Sequence, residues 1–185
     1  MASIYTAALM EHNAHPDYKY QMDEPTCTHD GVNPSCGDEL TLSLRLRGDR
    51  IEEAAFTGHG CAVSQAAADM MADLVTGETV GEARRLSGLY LDMIKGRPLT
   101  DEERADLDEA AELESIARMP ARVKCAVLGW HTMEDLLGEN AGEAAGPATG
   151  KGIGLSLRVV RNERRANART PSTSRSRSNR RPRSR

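Results

Sequence analysis

The chain has 185 residues, 39% hydrophobic and only 3% aromatic, so a core must be built mainly from Leu, Ile, Val, Ala and Met. It contains no apolar run near the roughly 18 residues of a membrane span and no signal-peptide pattern at its start, so we expect a cytoplasmic protein without a membrane partner. In that compartment the four cysteines favour metal or thiol chemistry over disulfides.

The net charge of −4 combines two regions of opposite sign. Residues 151–185 contain twelve Lys and Arg and a single acidic residue, whereas residues 1–150 carry a net charge of −15. The sequence therefore predicts an acidic domain followed by a basic tail.

The first predicted elements are a helix and a hairpin. "IYTAALMEHNAH" reads as a short amphipathic helix, and an irregular stretch with Pro16, Pro25 and Cys27 follows it. "LTLSLRLR" then alternates leucine with polar residues, which predicts a strand with one buried face. A turn at Gly48–Asp49 joins it to "IEEAAFTG", the antiparallel partner.

The remaining elements are predicted to be helices. Apolar residues in "GHGCAVSQAAADMMADLVTGET" recur with the 3.6-residue helical period, and Gly77 is placed to end that helix. Capping patterns at Thr79 and Thr100 begin two further helices, the second over "DEERADLDEAAELESIA", and Pro120 begins the last one. The order predicts an α+β domain in which helices cover one face of a small antiparallel sheet.

From about Asn140 the periodic pattern ends. We expect residues 1–139 to form the folded domain and residues 140–185 to be a disordered linker with an Arg/Ser-rich tail. The tail is open to three interpretations: a nonspecific phosphate-binding arm, a dispensable extension, or the product of a shifted reading frame or altered stop.

Three of the cysteines fall at predicted element boundaries. Cys36 precedes the first strong strand, Cys61 joins the second strand to a helix, and Cys125 lies in the first turns of the helix after Pro120. Packed in an ordinary compact domain, they can meet Asp38 at one edge, where three thiolates and a carboxylate suit zinc or a labile iron–sulfur cluster. Spacing alone leaves open three separate thiols packed as small hydrophobic residues.

The local sequences around these residues carry a resemblance. "NPSCGDEL", "GHGCAVSQAAADMM" and "PARVKCAVLGWHTMEDLL" together resemble SufU-type iron–sulfur cluster assembly proteins within the IscU/NifU-like family, over about Ile4 to Leu137. The resemblance implies an IscU/SufE-like sandwich with a sheet of about three strands. It also implies the metal ligands Cys36, Asp38, Cys61 and Cys125.

Two features resemble the SufU branch more than the IscU scaffolds. Lys124 stands where IscU-type scaffolds carry histidine, and "GRPLTDEERADLDEAAELE" matches additional helical material of SufU-type proteins. The resemblance implies a zinc-dependent sulfurtransferase that accepts persulfide sulfur from a SufS-type cysteine desulfurase and works beside other SUF assembly proteins. It would be a partner of the desulfurase rather than a stand-alone enzyme.

The same resemblance implies a role for Cys36, and helix spacing adds a candidate role for Arg122. Cys36 would be the sulfur acceptor, freed when a histidine of the docked desulfurase displaces a cysteine from zinc, and its neighbour Gly37 would let the loop swing. Arg122, one helical turn before Cys125, is a candidate to stabilise the developing anionic sulfur.

Two other functions remain open at this point. A scaffold that assembles and transfers a [2Fe–2S] or [4Fe–4S] cluster would use Cys36, Cys61 and Cys125, so the ligand set does not separate it from a sulfurtransferase. A structural zinc domain whose tail binds nucleic acid is a remote alternative, since the domain is acidic and the tail lacks aromatics.

Several residues receive a simpler interpretation. Cys27 is expected to be an incidental thiol outside the site, and His59 a solvated loop residue. His12, His15 and His131 are expected to be surface or packing residues. "EHNAHPDYKY" departs from the family's usual aspartate–histidine–tyrosine run followed by Asn-Pro. The resemblance therefore does not define the surface on which the desulfurase would dock.

Overall fold

A computed structural model describes residues 5–140. The predicted basic tail therefore lies outside the described residues. Among the helices of the described part, none is both long enough and apolar enough to cross a membrane. In chain order the elements are α1 (Ala7–Ala14), β1 (Cys27–Asn33), β2 (Asp38–Arg47), β3 (Arg50–His59), α2 (Ala62–Val75), α3 (Val80–Ile94), α4 (Asp101–Leu107), a 3₁₀ segment (Asp108–Arg118) and α5 (Pro120–Asn140).

The three strands form one antiparallel sheet in the order β1-β2-β3. Leu40, Leu42 and Leu44 of β2 are buried, as their alternation predicted. Arg47 pairs with Arg50 across a two-residue turn in which Gly48 has a φ of +61°, a conformation that glycine adopts without steric cost. The predicted hairpin is confirmed.

The resemblance implied about three strands, but the position of β1 was not predicted, and its packing explains why. Only Gly31 and Asn33 of this strand are buried, so the alternating apolar pattern is missing. A Cβ at Gly31 would lie 2.0 Å from Thr132 Oγ1, so the absence of a side chain is what lets α5 approach the strand. Strand β1 is therefore held in the fold by its close contact with α5 at Gly31, and not by a row of buried apolar side chains.

The helices pack against the sheet through α2 and α5. Most residues of α2 are buried, and it contacts α1, α5 and β3. Trp130 of α5 stacks on Tyr90 of α3 with ring centroids 4.5 Å apart and an interplanar angle of 17°. This arrangement of helices on a three-stranded antiparallel sheet confirms the predicted α+β fold class.

The helix predicted to begin after Thr100 is shorter than expected. Thr100 and Glu103 form the predicted capping box, but α4 ends at Leu107. Asp108 has a φ of +48°, which is incompatible with a continuing right-handed helix, and a 3₁₀ segment follows. The residues of the 3₁₀ segment are mostly good helix formers, so their helix propensity gave no sign in the sequence that the helix ends at Leu107.

His12 joins three elements through two carboxylates. Its Nδ1 lies 2.7 Å from Asp69 Oδ2 on α2, and its Nε2 lies 2.9 Å from Glu109 Oε2 on the 3₁₀ segment. The predicted surface or packing histidine is thus a largely buried ion-pairing residue. Burial alone would lower the pKa of His12, but the hydrogen bonds to Asp69 and Glu109 outweigh it and raise the pKa to about 9.

This network predicts a pH-dependent stability. Since the pKa of folded His12 lies above its ordinary 6.5, the stabilisation is fully present below pH 6.5 and is lost as pH rises through about 9. We expect the free energy of unfolding to fall over this window by on the order of 2–3 kcal/mol, and His12→Gln to remove that dependence. Denaturant unfolding at several pH values measures both.

His15→Gln is the matched control, because the His15 side chain is 76% exposed and pairs only loosely with Glu11. It should keep the wild-type dependence. Parallel pH profiles for wild type and His12→Gln would contradict the assignment.

Candidate metal centre

The site is built around the carboxylate of Asp38, the first residue of β2. Asp38 is 1% exposed and lies opposite Asn33, the last residue of β1. Its Oδ1 accepts the backbone N–H of Cys61 at 2.8 Å, and its Oδ2 accepts a hydrogen bond from Asn33 Nδ2 at 2.9 Å. The carboxylate therefore joins the sheet to the start of α2.

The hydrogen bonds keep Asp38 ionised. Burial alone would raise its pKa, but the N–H of Cys61, followed by the side chains of Cys125, Asn33 and Ser64, lowers the pKa below its usual value. Gly60 permits this close packing, because a Cβ there would lie 2.4 Å from Ser64 Oγ and 2.9 Å from Asp38 Oδ1.

Two predicted thiol ligands lie beside this carboxylate. Cys125 is 1% exposed, whereas Cys36 is exposed on the loop between β1 and β2. Their Sγ atoms are 3.3 Å apart. One ligand atom from each of Cys36, Asp38 and Cys125 lies within 4.8 Å of the others, which is close enough for one metal ion.

Cys61, the fourth predicted ligand, lies at the margin of this group. It is the N-cap residue of α2 and is partly buried. Its thiol is outside the mutual 4.8 Å group, but it is among the groups that interact with Cys125. The structure thus brings three predicted ligands together and places the fourth beside them.

The position of Cys125 near the start of α5 does not favour its thiolate form. Burial, followed by hydrogen bonds with Asp38, Cys36 and Cys61, raises its pKa above the usual value. Cys125 lies beyond the first turn of α5, where the helix dipole has little effect. A bound divalent cation would displace the thiol protons and so stabilise the deprotonated sulfur of Cys125.

The donor set therefore fits a thiophilic metal. Thiolate sulfur and carboxylate oxygen are both ligands of tetrahedral zinc, and clustered thiolates also hold iron–sulfur clusters. The buried Asp38 carboxylate supplies a negatively charged oxygen ligand beside the thiols, which favours the binding of a cation.

Arg122 faces the same sulfurs from α5. Charge interaction with Cys61, then with Tyr5, and a weaker one with Cys125, raises the pKa of its guanidinium. A permanent positive charge thus borders the thiols, in keeping with the predicted location, while its role stays a prediction.

Two contacts of the site were missed in the sequence. Asn33 was not assigned to the site, yet its Nδ2 lies 2.9 Å from Asp38 Oδ2 and 3.5 Å from Cys125 Sγ. Lys124 Nζ donates to Ser35 Oγ at 3.1 Å and connects α5 to the loop that carries Cys36. Neither contact is visible in sequence spacing, since each joins residues on different elements.

Cys27 and His59 stand apart from the ligand group. Cys27 begins β1, six residues before Asn33, which at the usual rise per strand residue is about 20 Å along the strand. Burial raises the pKa of its thiol. His59 is exposed at the end of β3, opposite Glu39. Both positions agree with the interpretations of Cys27 as an incidental thiol and His59 as a solvated residue.

Comparison with known proteins supplies relatives for this arrangement. The NifU-like N-terminal domain family matches residues 4–126. The zinc-dependent sulfurtransferase SufU of Bacillus subtilis is 33% identical over 140 residues, which cover 76% of this chain and 93% of the relative. The iron–sulfur cluster assembly scaffold protein IscU of Streptococcus pyogenes is 32% identical over 138 residues, covering 75% and 85%.

Solved structures agree with these relatives. The crystal structure of a proposed scaffold protein for the SUF system from Fervidobacterium islandicum matches with a TM-score of 0.68 and 31% identity, covering 72% of this chain and 96% of that one. The N-terminal part of a NifU-like protein from Brucella abortus matches with a TM-score of 0.68 at 24% identity, covering 76% and 96%, and shows the shared fold. As its three motifs predicted, the chain belongs to the NifU-like N-terminal domain family, the IscU/SufU family of iron–sulfur cluster assembly proteins.

Proposed function

We propose that this chain is a zinc-dependent sulfurtransferase that accepts persulfide sulfur from a SufS-type cysteine desulfurase. The observation that carries the proposal is an asymmetry of exposure within the ligand group. Asp38 and Cys125 are each 1% exposed, whereas Cys36 is exposed on its loop. The thiol of Cys36 is therefore the most accessible to a docked donor, while Cys61 is partly buried and Cys125 lies inside the fold.

The metal ligands in this proposal are Cys36, Asp38, Cys61 and Cys125. Zinc, when bound, would keep the thiols deprotonated and fixed in orientation. The donor chemistry of the site and the function named for the Bacillus subtilis relative both support this choice.

The transfer step needs only the thiol of Cys36 and the donor. The Cys36 thiolate attacks the terminal sulfur of the donor persulfide, a new S–S bond forms at Cys36, and the S–S bond of the donor breaks. The donor cysteine leaves as a thiolate, so the step involves no net oxidation. Gly37 has a φ of +69° and open space around it, which gives the loop room to move.

Arg122 and Lys124 would assist this step from α5. We propose that the guanidinium of Arg122, which interacts with Cys61 and Cys125, stabilises the anionic sulfur during transfer. Lys124 holds the loop of Cys36 through Ser35. Lys124 and the additional segment that forms α4 and the 3₁₀ segment support the SufU assignment.

The desulfurase is the primary partner in this proposal, with other SUF assembly proteins as further ones. The cytoplasmic location expected from the sequence stays a prediction. Nonspecific binding of nucleic acid through the tail concerns residues outside the described part of the chain.

A cluster scaffold is the second candidate function. The Streptococcus pyogenes relative, nearly as similar as the Bacillus subtilis one, is named a scaffold, and so is the match from Fervidobacterium islandicum. The close sulfurs of Cys36 and Cys125, with Cys61 beside them, would equally suit a [2Fe–2S] or [4Fe–4S] cluster.

Metal content separates the two functions. We expect the protein purified without reconstitution to hold about one zinc per chain, because its three thiols and one carboxylate complete a tetrahedral site. Elemental analysis and visible absorption measure this. A brown protein that passes its cluster to an apo-ferredoxin, while leaving desulfurase turnover unchanged, would favour the scaffold.

Loss of the acceptor thiol should abolish sulfur transfer. Cys36→Ala removes the accessible nucleophile, so we expect it to lose the stimulation of desulfurase turnover that the wild type produces. The matched control is Cys27→Ala, which removes a thiol from the opposite end of β1 and should retain both zinc and stimulation. Full stimulation by Cys36→Ala would contradict the proposed acceptor.

The proposed boundary between residues 139 and 140 leads to a truncation test. Removal of residues 140–185 should leave zinc content and desulfurase stimulation within about twofold of the full chain, because every proposed ligand lies in residues 1–139. A large loss of either property would show that the tail takes part in function.

A further inference from the structure

Asn33 contacts the metal centre without belonging to the predicted ligand set. It is the last residue of β1 and is 5% exposed, so its amide is shielded from solvent. A buried amide must find hydrogen-bond partners within the protein. The partners of its Nδ2 are two of the proposed ligands.

The side-chain amide reaches both buried ligands. Nδ2 donates to Asp38 Oδ2 at 2.9 Å and lies 3.5 Å from Cys125 Sγ, within hydrogen-bonding distance of sulfur. An N–H donor stabilises an acceptor more when the acceptor is a carboxylate or a thiolate. The amide therefore fixes the orientation of Asp38 and Cys125 towards each other.

The rest of Asn33 holds the start of the Cys36 loop. Its Oδ1 accepts the N–H of Ser35 at 3.2 Å. Its backbone carbonyl accepts the N–H groups of Cys36 at 3.2 Å and Gly37 at 2.9 Å. These bonds shape the loop backbone, while the sulfur of Cys36 extends from it and is exposed.

We propose that Asn33 is a positioning residue that divides the ligand set into a fixed part and a movable part. Its amide holds Asp38 and Cys125 in place, so that Cys36 is the thiol that leaves the metal and reacts. The inference rests on the proposed metal site and sulfur transfer, and it explains why one thiol of the group would be selected.

The contacts go beyond those of a turn residue. An asparagine that only shapes a turn uses its side-chain oxygen on a nearby backbone N–H, as Asn33 does with Ser35. Its Nδ2 instead reaches Cys125, 92 residues away in the chain. Groups that orient metal ligands in this way commonly contribute roughly 10- to 100-fold to metal affinity.

The test measures the reactivity of each thiol in the zinc-loaded protein. Iodoacetamide is added in limiting amount, and mass spectrometry reports the alkylation rate at each cysteine. In the wild type we expect Cys36 to react well before Cys125. In Asn33→Ala we expect this preference to shrink and zinc affinity, measured by chelator competition, to fall roughly 10- to 100-fold.

A second variant separates donation from shape. Asn33→Asp keeps the volume of the side chain and an oxygen for the Ser35 N–H, but it removes the donor to Asp38 and Cys125. We expect it to lose the preference for Cys36, as Asn33→Ala does. The sulfur-to-cobalt absorption band of the Co²⁺-substituted protein should change in both variants, because the geometry at Cys125 changes.

Thr132→Val is the matched control. Thr132 is a buried polar residue of α5 whose hydroxyl donates to Leu128 O at 2.8 Å, and valine keeps the side-chain volume that packs against β1 at Gly31. It should keep the wild-type zinc affinity, alkylation preference and cobalt band. If Thr132→Val changed these properties as much as Asn33→Ala does, the effect of Asn33 would be one of general core packing, and the inference would be overturned.

The outcomes distinguish a failure of the role proposed for Asn33 from a failure of the proposed sulfurtransferase function. A wild type that binds zinc and protects Cys125, together with Asn33 variants that behave identically, overturns the role of Asn33 and leaves the proposed function standing. A wild type that binds no zinc overturns both. Loss of the preference in both Asn33 variants with an unaffected control supports the inference.

Discussion

The hydrogen bond from the backbone N–H of Cys61 to Asp38 is the contact on which the site depends. It joins the start of β2 to the start of α2, two elements that are distant along the chain. A carboxylate at 1% exposure has to be compensated, and this N–H, with the amide of Asn33, provides the compensation. The same bond therefore ties the start of α2 to the sheet and holds the carboxylate of Asp38 in place.

The sequence predicted the features that depend on residues close together in the chain. The leucines of β2, the turn at Gly48 and the capping box at Thr100 each leave a pattern within a few residues, and all three are present. The family resemblance then assigned the ligands, three of which the structure brings within 4.8 Å of one another. Spacing alone left their meeting open, because the cysteines belong to different elements.

Most of the features that escaped prediction depend on contacts between distant segments. Strand β1 is seated by α5 at Gly31 instead of by an apolar face of its own. The break at Asp108 follows from backbone geometry that its helix-forming neighbours conceal. His12 and Asn33 have partners that lie dozens of residues away, and no local pattern distinguishes such residues from ordinary polar ones. The roles of His12 and Asn33 are defined by their contacts in the folded protein and not by their residue type.

The contact between Gly31 and Thr132 has a mechanical consequence for the centre. Gly31 is two residues from Asn33, and Thr132 is two helical turns beyond Cys125, so the strand and the helix interlock beside the ligands. Sliding of α5 along β1 would force Thr132 against the strand backbone. The spacing of the two buried donors, Asp38 and Cys125, therefore follows from the packing of β1 against α5 and is built into the fold itself.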